Sequence, residues 1–286
     1  AARRDGTGLK EFAEKFPDRF FDVGIAEQHA LGLIAGMARA GLKPVLPIYS
    51  SFLQRGYDQI IHDIALSGIP VTVCIDRAGI VGNDGETHQG IFDLSFLSSI
   101  PNIVIMAPKN FEELDKMLEF GVNLDKPVFI RYPRGGENFS FESTEDIELG
   151  KAEIVQEGTD LSIIAIGNMV GRAEEVASLL PEKSVEIINA RFLKPLDEET
   201  ILNSIRKTGY CITIEDNLLK GGLGSAVVEA VNKSDIQDVK IKNFGYDDTF
   251  VEHGTVKELE DKYGLSAEKI SGKLFTFTEM WDIIYR

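Results

Sequence analysis

An apolar, mostly β-branched run, Val71 to Ile75, ends at Asp76-Arg77 and opens into Ala78-Gly79-Ile80-Val81-Gly82-Asn83-Asp84-Gly85-Glu86-Thr87-His88-Gln89-Gly90. The run reads as a buried strand. The four glycines after it let the backbone turn tightly and approach a ligand. The loop carries a guanidinium (Arg77), carboxylates (Asp84, Glu86) and an imidazole (His88). A strand that delivers polar groups to such a loop is how an open α/β sheet builds a site at its carboxyl edge. The alternative is an ordinary surface connection.

The chain around it alternates in the same way. Helices are expected at 9–16, 27–40, 52–67 and 112–121, and strands at 43–49, 71–75, 103–106 and 128–131. After Tyr132-Pro133-Arg134-Gly135-Gly136 a polar, acidic stretch reads as a linker. A second alternation follows, with strands at 161–166, 185–189, 211–215 and 239–244 and helices at 172–180, 198–207, 224–232 and 255–263. The expected class is α/β: two consecutive open, parallel sheets covered by helices, with domains 1–136 and 151–286 joined by 137–150.

Charge narrows the partners. The net charge of −16 argues against nucleic acid and anionic membrane. Residues 1–140 carry 14 Lys+Arg against 18 Asp+Glu, and residues 141–286 carry 16 against 28. The glycine-rich loop therefore lies in the less acidic half, which suits an anionic substrate. No apolar run is long enough to span a bilayer, and no signal-peptide pattern opens the chain. Cys74 and Cys211 each sit in a strand-like run and read as buried free thiols of a cytoplasmic protein. No His/Cys cluster has metal-ligand spacing, and no P-loop occurs.

Several side chains stand out as candidates. Glu27 opens a helix of small apolar residues, where a carboxylate needs a partner, unless it is a surface residue serving the helix dipole. Tyr49, Phe52 and Arg55 combine aromatic faces with a cation at a strand-to-helix junction and could hold a flat heterocycle; core packing of Phe52 is the other reading. Arg77 and Arg134 both end predicted strands, and together would make a fork for phosphate or carboxylate. His88, four residues after Asp84, suits proton transfer or stabilisation of a developing alkoxide. His62, inside a helix, reads as structural, and His29 and His253 are weaker candidates. Glu215-Asp216-Asn217 followed by Gly221-Gly222-Leu223-Gly224 reads as an anion or cofactor contact, or as a tight strand–helix connection.

Asp22 through Ala30, Ile48 through Arg55, Asp76 through Gly90 and Arg131 through Gly135 together resemble the 1-deoxy-D-xylulose-5-phosphate synthases, a family of transketolase-like thiamine diphosphate enzymes. Arg191 through Asp197 and Glu215-Asp216-Asn217 with its glycines extend the resemblance over essentially the whole chain. The Asp-Arg-Ala-Gly opening of the long loop is the part a transketolase would be expected to lack. The resemblance implies a pyrimidine-binding domain followed by a transketolase-type C-terminal domain. It implies condensation of pyruvate with glyceraldehyde 3-phosphate, with loss of carbon dioxide. Glu27 would activate the aminopyrimidine of thiamine diphosphate, and Phe52 would stack on it with Arg55 nearby. Tyr49, Arg77 and Arg134 would hold the acceptor phosphate, with Asp84 and His88 facing the reacting carbons. The second-domain glycines would be structural.

One element of the family pattern is missing. No Gly-Asp-Gly occurs in the sequence, and the resemblance places the diphosphate and Mg²⁺ ligands in a separate N-terminal domain, so no metal ligand is assigned here. By resemblance the chain starts near the end of the pyrimidine-binding domain's first strand. It is expected to be inactive alone, to form a homodimer, and to need that domain in cis or as a second chain. A half-subunit of a split transketolase-like enzyme and a non-catalytic interaction fragment are the alternatives.

Overall fold

The structure, a computed structural model, describes residues 6–137, 139 and 146–274. The opening Ala1-Ala2-Arg3-Arg4, residues 138 and 140–145 of the expected linker, and the chain beyond 274 lie outside the described residues. In order, the first half runs α1 (Lys10–Lys15), α2 (Glu27–Arg39), β1 (Val45–Tyr49), α3 (Ser50–Leu53), α4 (Tyr57–Gln59), β2 (Thr72–Asp76), α5 (Asp93–Ser98), β3 (Val104–Met106), α6 (Phe111–Asn123) and β4 (Val128–Arg131). The second runs β5 (Glu153–Gln156), β6 (Leu161–Ala165), α7 (Met169–Ser178), β7 (Val185–Asn189), β8 (Phe192–Lys194), α8 (Glu198–Thr208), β9 (Tyr210–Leu218), α9 (Leu223–Lys233), β10 (Lys240–Tyr246) and α10 (Val256–Tyr263).

Two five-stranded sheets result, in the orders β1-β2-β4-β3-β8 and β10-β9-β6-β7-β5. Both are open, as expected, and parallel except at one edge strand each: β8 runs antiparallel to β3, and β5 antiparallel to β7. A strand reached through a helical crossover lies parallel to its predecessor. Among the described residues no helix precedes β5 after β4 or β8 after β7, so neither strand is bound by that rule. The chain leaves β7 at Asn189, turns through Arg191 in the left-handed region (φ 54), and adds β8 to the first sheet. The two halves are therefore joined by a strand as well as by a continuous apolar core, in which Ile105 and Ala107 cluster with Ile164, Ile188 and Leu193.

The expected helix at 52–67 is broken. After α3 the backbone passes through a 3₁₀ turn at Gln54–Gly56, then α4, then a π-helical stretch at Ile60–Ala65. Gly56 shows why the first break occurs: a Cβ there would lie 2.1 Å from Leu31 Cδ1. The turn that carries Arg55 is pressed onto α2.

Parallel register sets the site. Tyr49 pairs with Asp76, and Ile75 with Arg131, so β1, β2 and β4 end side by side. The segments that follow them all emerge at one carboxyl edge.

Cys74 and Cys211 are free and buried, and burial pushes the Cys74 thiol up to about 12. No helix of the described residues is long and apolar enough to cross a membrane. The second-domain glycine turn brings Leu223 and Gly224 onto Glu215, whose Oε2 and Oε1 accept their backbone N–H groups, both at 2.8 Å. The start of α9 is thus occupied by the chain's own carboxylate, so the strand–helix connection describes it better than an anion site.

Burial raises the Glu215 carboxyl to about 8, against the pull of those two amides and of Arg131. The folded chain then holds a proton that the unfolded chain releases above the ordinary 4.5. This contribution to stability is complete below that value and is lost as pH climbs toward 8. Glu215→Gln is expected to flatten the fall in melting temperature between about pH 4.5 and 8; a profile parallel to the parent's would show that Glu215 does not drive that fall.

Candidate active site

At the head of α2, Glu27 is 2% exposed. Ala26, the residue before the helix, provides no side-chain cap, while Ala30, Leu31, Ile34 and Ala35 bury the helix face behind it. Arg55 Nη1 donates to Glu27 Oε1 at 2.9 Å, and Arg55 is itself half exposed. Among the described residues, Arg55 is the side chain bonded to this carboxylate. Glu27 is therefore the partnered buried acid, rather than the surface N-terminal one.

From Arg55 the contacts run on without a gap. Its guanidinium lies 5.0 Å from the Phe52 ring centre. Phe52 stacks on Tyr49 with centroids 5.3 Å apart, and His88 meets its edge at 5.5 Å. Arg77 lies over the Tyr49 ring at 4.0 Å. Both Arg77 and Arg134 bond to Asp84, Arg77 to Oδ2 in a short contact and Arg134 to Oδ1 at 2.7 Å. The eight candidate side chains thus form one connected surface at the strand ends. The two guanidiniums converge as their shared position predicts, and Asp84 lies between them, a carboxylate where an incoming anion would otherwise be held.

Backbone geometry supports this aim. Arg77 has φ 58, in the left-handed region that a non-glycine residue occupies at a cost of about 1–3 kcal/mol. The loop beyond it is pinched at its neck, where Gly79 and Gly90 exchange two backbone hydrogen bonds of 2.7 Å. A Cβ on Gly90 would lie 2.2 Å from the Arg77 carbonyl oxygen, so only glycine fits. Within the loop, Val81 N–H donates to Gln89 Oε1 at 2.8 Å. Thr87 Oγ1 and His88 Nδ1 are 2.9 Å apart. Burial raises the Tyr49 hydroxyl pKa, with Arg77 opposing it, and burial likewise raises that of the Asp76 carboxyl.

The other histidines stand apart from this surface. His62 pairs with Asp58 on an exposed helix face, and His29 is exposed. His253 lies beside Gly85, at the tip of the loop.

Two buried residues of this region drew no individual assignment from the sequence. Arg131, 3% exposed, donates from Nε to Asp93 Oδ2 at 3.0 Å and from Nη2 to the Asp216 carbonyl at 3.0 Å. Burial works against its charge, and Asp93, Asp216 and Glu215 together more than offset this, leaving its pKa raised. Asp216 reaches the loop from the second sheet. Arg131 is a charge closing an otherwise apolar strand run, and Asp216 lies in the Glu215-Asp216-Asn217 segment, whose reading as a motif gave no hint of a contact with the loop.

A buried carboxylate with one cationic partner, beside an aromatic face, fits a flat heterocycle bearing N–H groups. The chemistry of the donor set therefore fits an aminopyrimidine. Among the described residues no group of three or more His, Cys, Asp or Glu could hold a metal ion.

Comparison with known proteins agrees in both halves. Residues 1–137 match the family model Transketolase, pyrimidine binding domain, and residues 150–270 match Transketolase, C-terminal domain. The chain is 53% identical over 275 residues to a 1-deoxy-D-xylulose-5-phosphate synthase of Halothermothrix orenii, covering 94% of this chain and 43% of that protein. With the Clostridium perfringens synthase it is 52% identical over 279 residues, covering 96% and 45%. The chain thus spans less than half the length of these relatives. A solved split gene transketolase, an inactive beta4 tetramer, matches with TM-score 0.85 and 30% identity over 92% of this chain and 85% of that one. A Campylobacter jejuni transketolase shares the fold at TM-score 0.73 and 21% identity, over 90% of this chain and 39% of that one. The chain belongs to the transketolase family, and carries that family's pyrimidine-binding and C-terminal domains in the sequence form of the 1-deoxy-D-xylulose-5-phosphate synthases.

Proposed function

We propose that this chain forms the pyrimidine-binding half of a thiamine diphosphate site that condenses pyruvate with glyceraldehyde 3-phosphate to give 1-deoxy-D-xylulose 5-phosphate, carbon dioxide leaving and one proton being taken up. The observation that carries this is the unbroken surface from buried Glu27, through Arg55, Phe52 and Tyr49, to Arg77 and Arg134. One end suits a nitrogen heterocycle and the other an anion, with His88 between them.

Thiamine diphosphate, when bound, supplies the nucleophilic carbon and the electron sink that decarboxylation of a 2-oxo acid requires. The chain's residues take the remaining tasks. Glu27 accepts a hydrogen bond from a pyrimidine ring nitrogen, and Arg55 supplies its counter-charge. Phe52 offers an apolar face to the ring. Tyr49, Arg77 and Arg134 hold the acceptor phosphate, which displaces Asp84 from the guanidiniums toward the reacting carbons. His88 delivers a proton to the aldehyde oxygen as it becomes a hydroxyl.

The diphosphate and its Mg²⁺ fall to a domain beyond these residues or on a second polypeptide, in a cytoplasmic homodimeric assembly. The relatives' greater length and the neighbour's split gene support that division. The same neighbour favours a second reading, a half-subunit that transfers ketol groups as a transketolase does.

The test is carbon dioxide release from pyruvate with thiamine diphosphate and Mg²⁺ present. Release that depends on glyceraldehyde 3-phosphate is expected when the chain is combined with a diphosphate-binding domain, and none from the chain alone. Activity of the chain alone would overturn the division of labour. Ketol transfer from a sugar phosphate, without use of pyruvate, would favour the second reading.

A further inference from the structure

The segments that carry Arg77 and Arg134 are both tied to one residue of the second sheet. Asp216, buried two residues before the end of β9, accepts the Ile80 N–H through Oδ1 at 3.1 Å and Oδ2 at 3.3 Å. Ile80 follows Arg77 by three residues. The Asp216 backbone carbonyl accepts from Arg131, three residues before Arg134. The Tyr246 hydroxyl donates to Asp216 Oδ1 at 3.0 Å and steadies the carboxylate. The approach is close: Gly79 has φ 77, and a Cβ there would lie 1.9 Å from Asp216 Oδ2. A second tie reaches the far end of the same loop, where Gln89 Nε2 donates to the Glu252 carbonyl at 2.9 Å.

A buried carboxylate is a costly way to fill space between two sheets, because an apolar side chain would do so without desolvating a charge. What the carboxylate adds is direction, since it fixes one backbone N–H of the loop at one distance. We propose that Asp216 is a positioning residue, and that the second domain acts as a clamp setting the spacing of Arg77 and Arg134 and thereby the affinity for a phosphorylated substrate. The clamp rests on these contacts; its consequence for substrate rests on the function proposed above.

The experiment compares amide hydrogen exchange and binding of inorganic phosphate in the 286-residue chain and its variants. In Asp216→Ala, exchange at residues 80–89 is expected to rise, and phosphate affinity to fall, each roughly tenfold, while β6 and β7 keep their protection. Asp216→Asn retains an acceptor for Ile80 and is expected to recover most of both. Should the alanine variant not fold, Tyr246→Phe is expected to give a loss of about threefold at the same amides. The clamp is overturned if the folded variants leave the loop's protection unchanged. It is equally overturned if protection falls evenly through β6 and β7 with no recovery by asparagine. Failure of the parent chain to bind phosphate would overturn the consequence for substrate together with the reading it rests on, while the exchange result would still decide the clamp.

Discussion

Glu27→Gln is expected to lower turnover of the assembled enzyme by about 10²–10⁴-fold, the range typical of removing a positioned proton-handling group, while changing the melting temperature of the chain little. The two effects separate because of how the residue is partnered. Glu27 is buried, but its partner Arg55 is half exposed and can turn to water when the carboxylate is gone. The pair therefore contributes no more than about 1 kcal/mol to stability. A glutamine of the same shape keeps the packing of α2 against the turn at Gly56. It loses the negative charge that holds an N–H-bearing ring nitrogen in a water-poor site. Glu27→Asp keeps the charge and shortens its reach by one methylene, so a smaller loss is expected. Carbon dioxide release and thermal melting, measured on the same preparations, decide the matter. Turnover within tenfold of the parent would remove Glu27 from the chemistry, and a large drop in melting temperature would make its role structural.

Much of this site could be read from the order of residues, because its parts follow strand ends. An apolar run that stops at a charged residue announces a carboxyl edge, and Tyr49, Arg77 and Arg134 all lie at or just beyond such stops. Glu27 stood out for a related reason: the helix behind it has too little polarity to be a solvated face. Contacts made far along the chain were hidden. Asp216 and Ile80 are separated by 136 positions, and nothing near Glu215-Asp216-Asn217 hints that one acid caps a helix while the next holds a loop of the other domain. The three-residue β8 is too short for periodicity to register, and its partner β3 was fixed by the turn at Arg191. The first break after α3 goes with Leu31 pressing on Gly56, which helical periodicity within 52–67 cannot reveal.

The turn at Arg191 leads to the largest expected loss of stability. Arg191 and Glu113 are 2% and 0% exposed at their side chains, and Arg191 Nε donates to Glu113 Oε1 at 2.8 Å. Arg191 Nη2 also lies 3.4 Å from Glu153 Oε1, while Lys109 Nζ bonds to Glu153 Oε2 at 2.5 Å. Asn189 Nδ2 bridges the two acids, at 3.0 Å from each. Among the described residues the cluster holds two positive and two negative groups, and it joins α6 of the first half to β5, β7 and the turn before β8 in the second. Burial raises the Glu113 carboxyl pKa, although the Lys109 amide, Arg191 and Lys109 all pull it down, so the acid depends on its partners to stay charged. Arg191→Ala removes one positive charge and leaves two carboxylates sharing Lys109 and Asn189. Breaking a buried pair in this way costs about 3–5 kcal/mol, because the penalty of the stranded charge is added to the lost contact. That corresponds to a fall in melting temperature of roughly 10 °C for a chain of this size. The double variant Arg191→Met with Glu113→Leu strands no charge in the Arg191–Glu113 pair, and is expected to recover most of the loss, since apolar groups of similar volume need no solvation. Melting curves of the single and double variants distinguish this account from simple loss of packing. If the double variant is less stable than Arg191→Ala, the cluster is held by its shape and hydrogen bonds, and charge balance is not what joins the two halves.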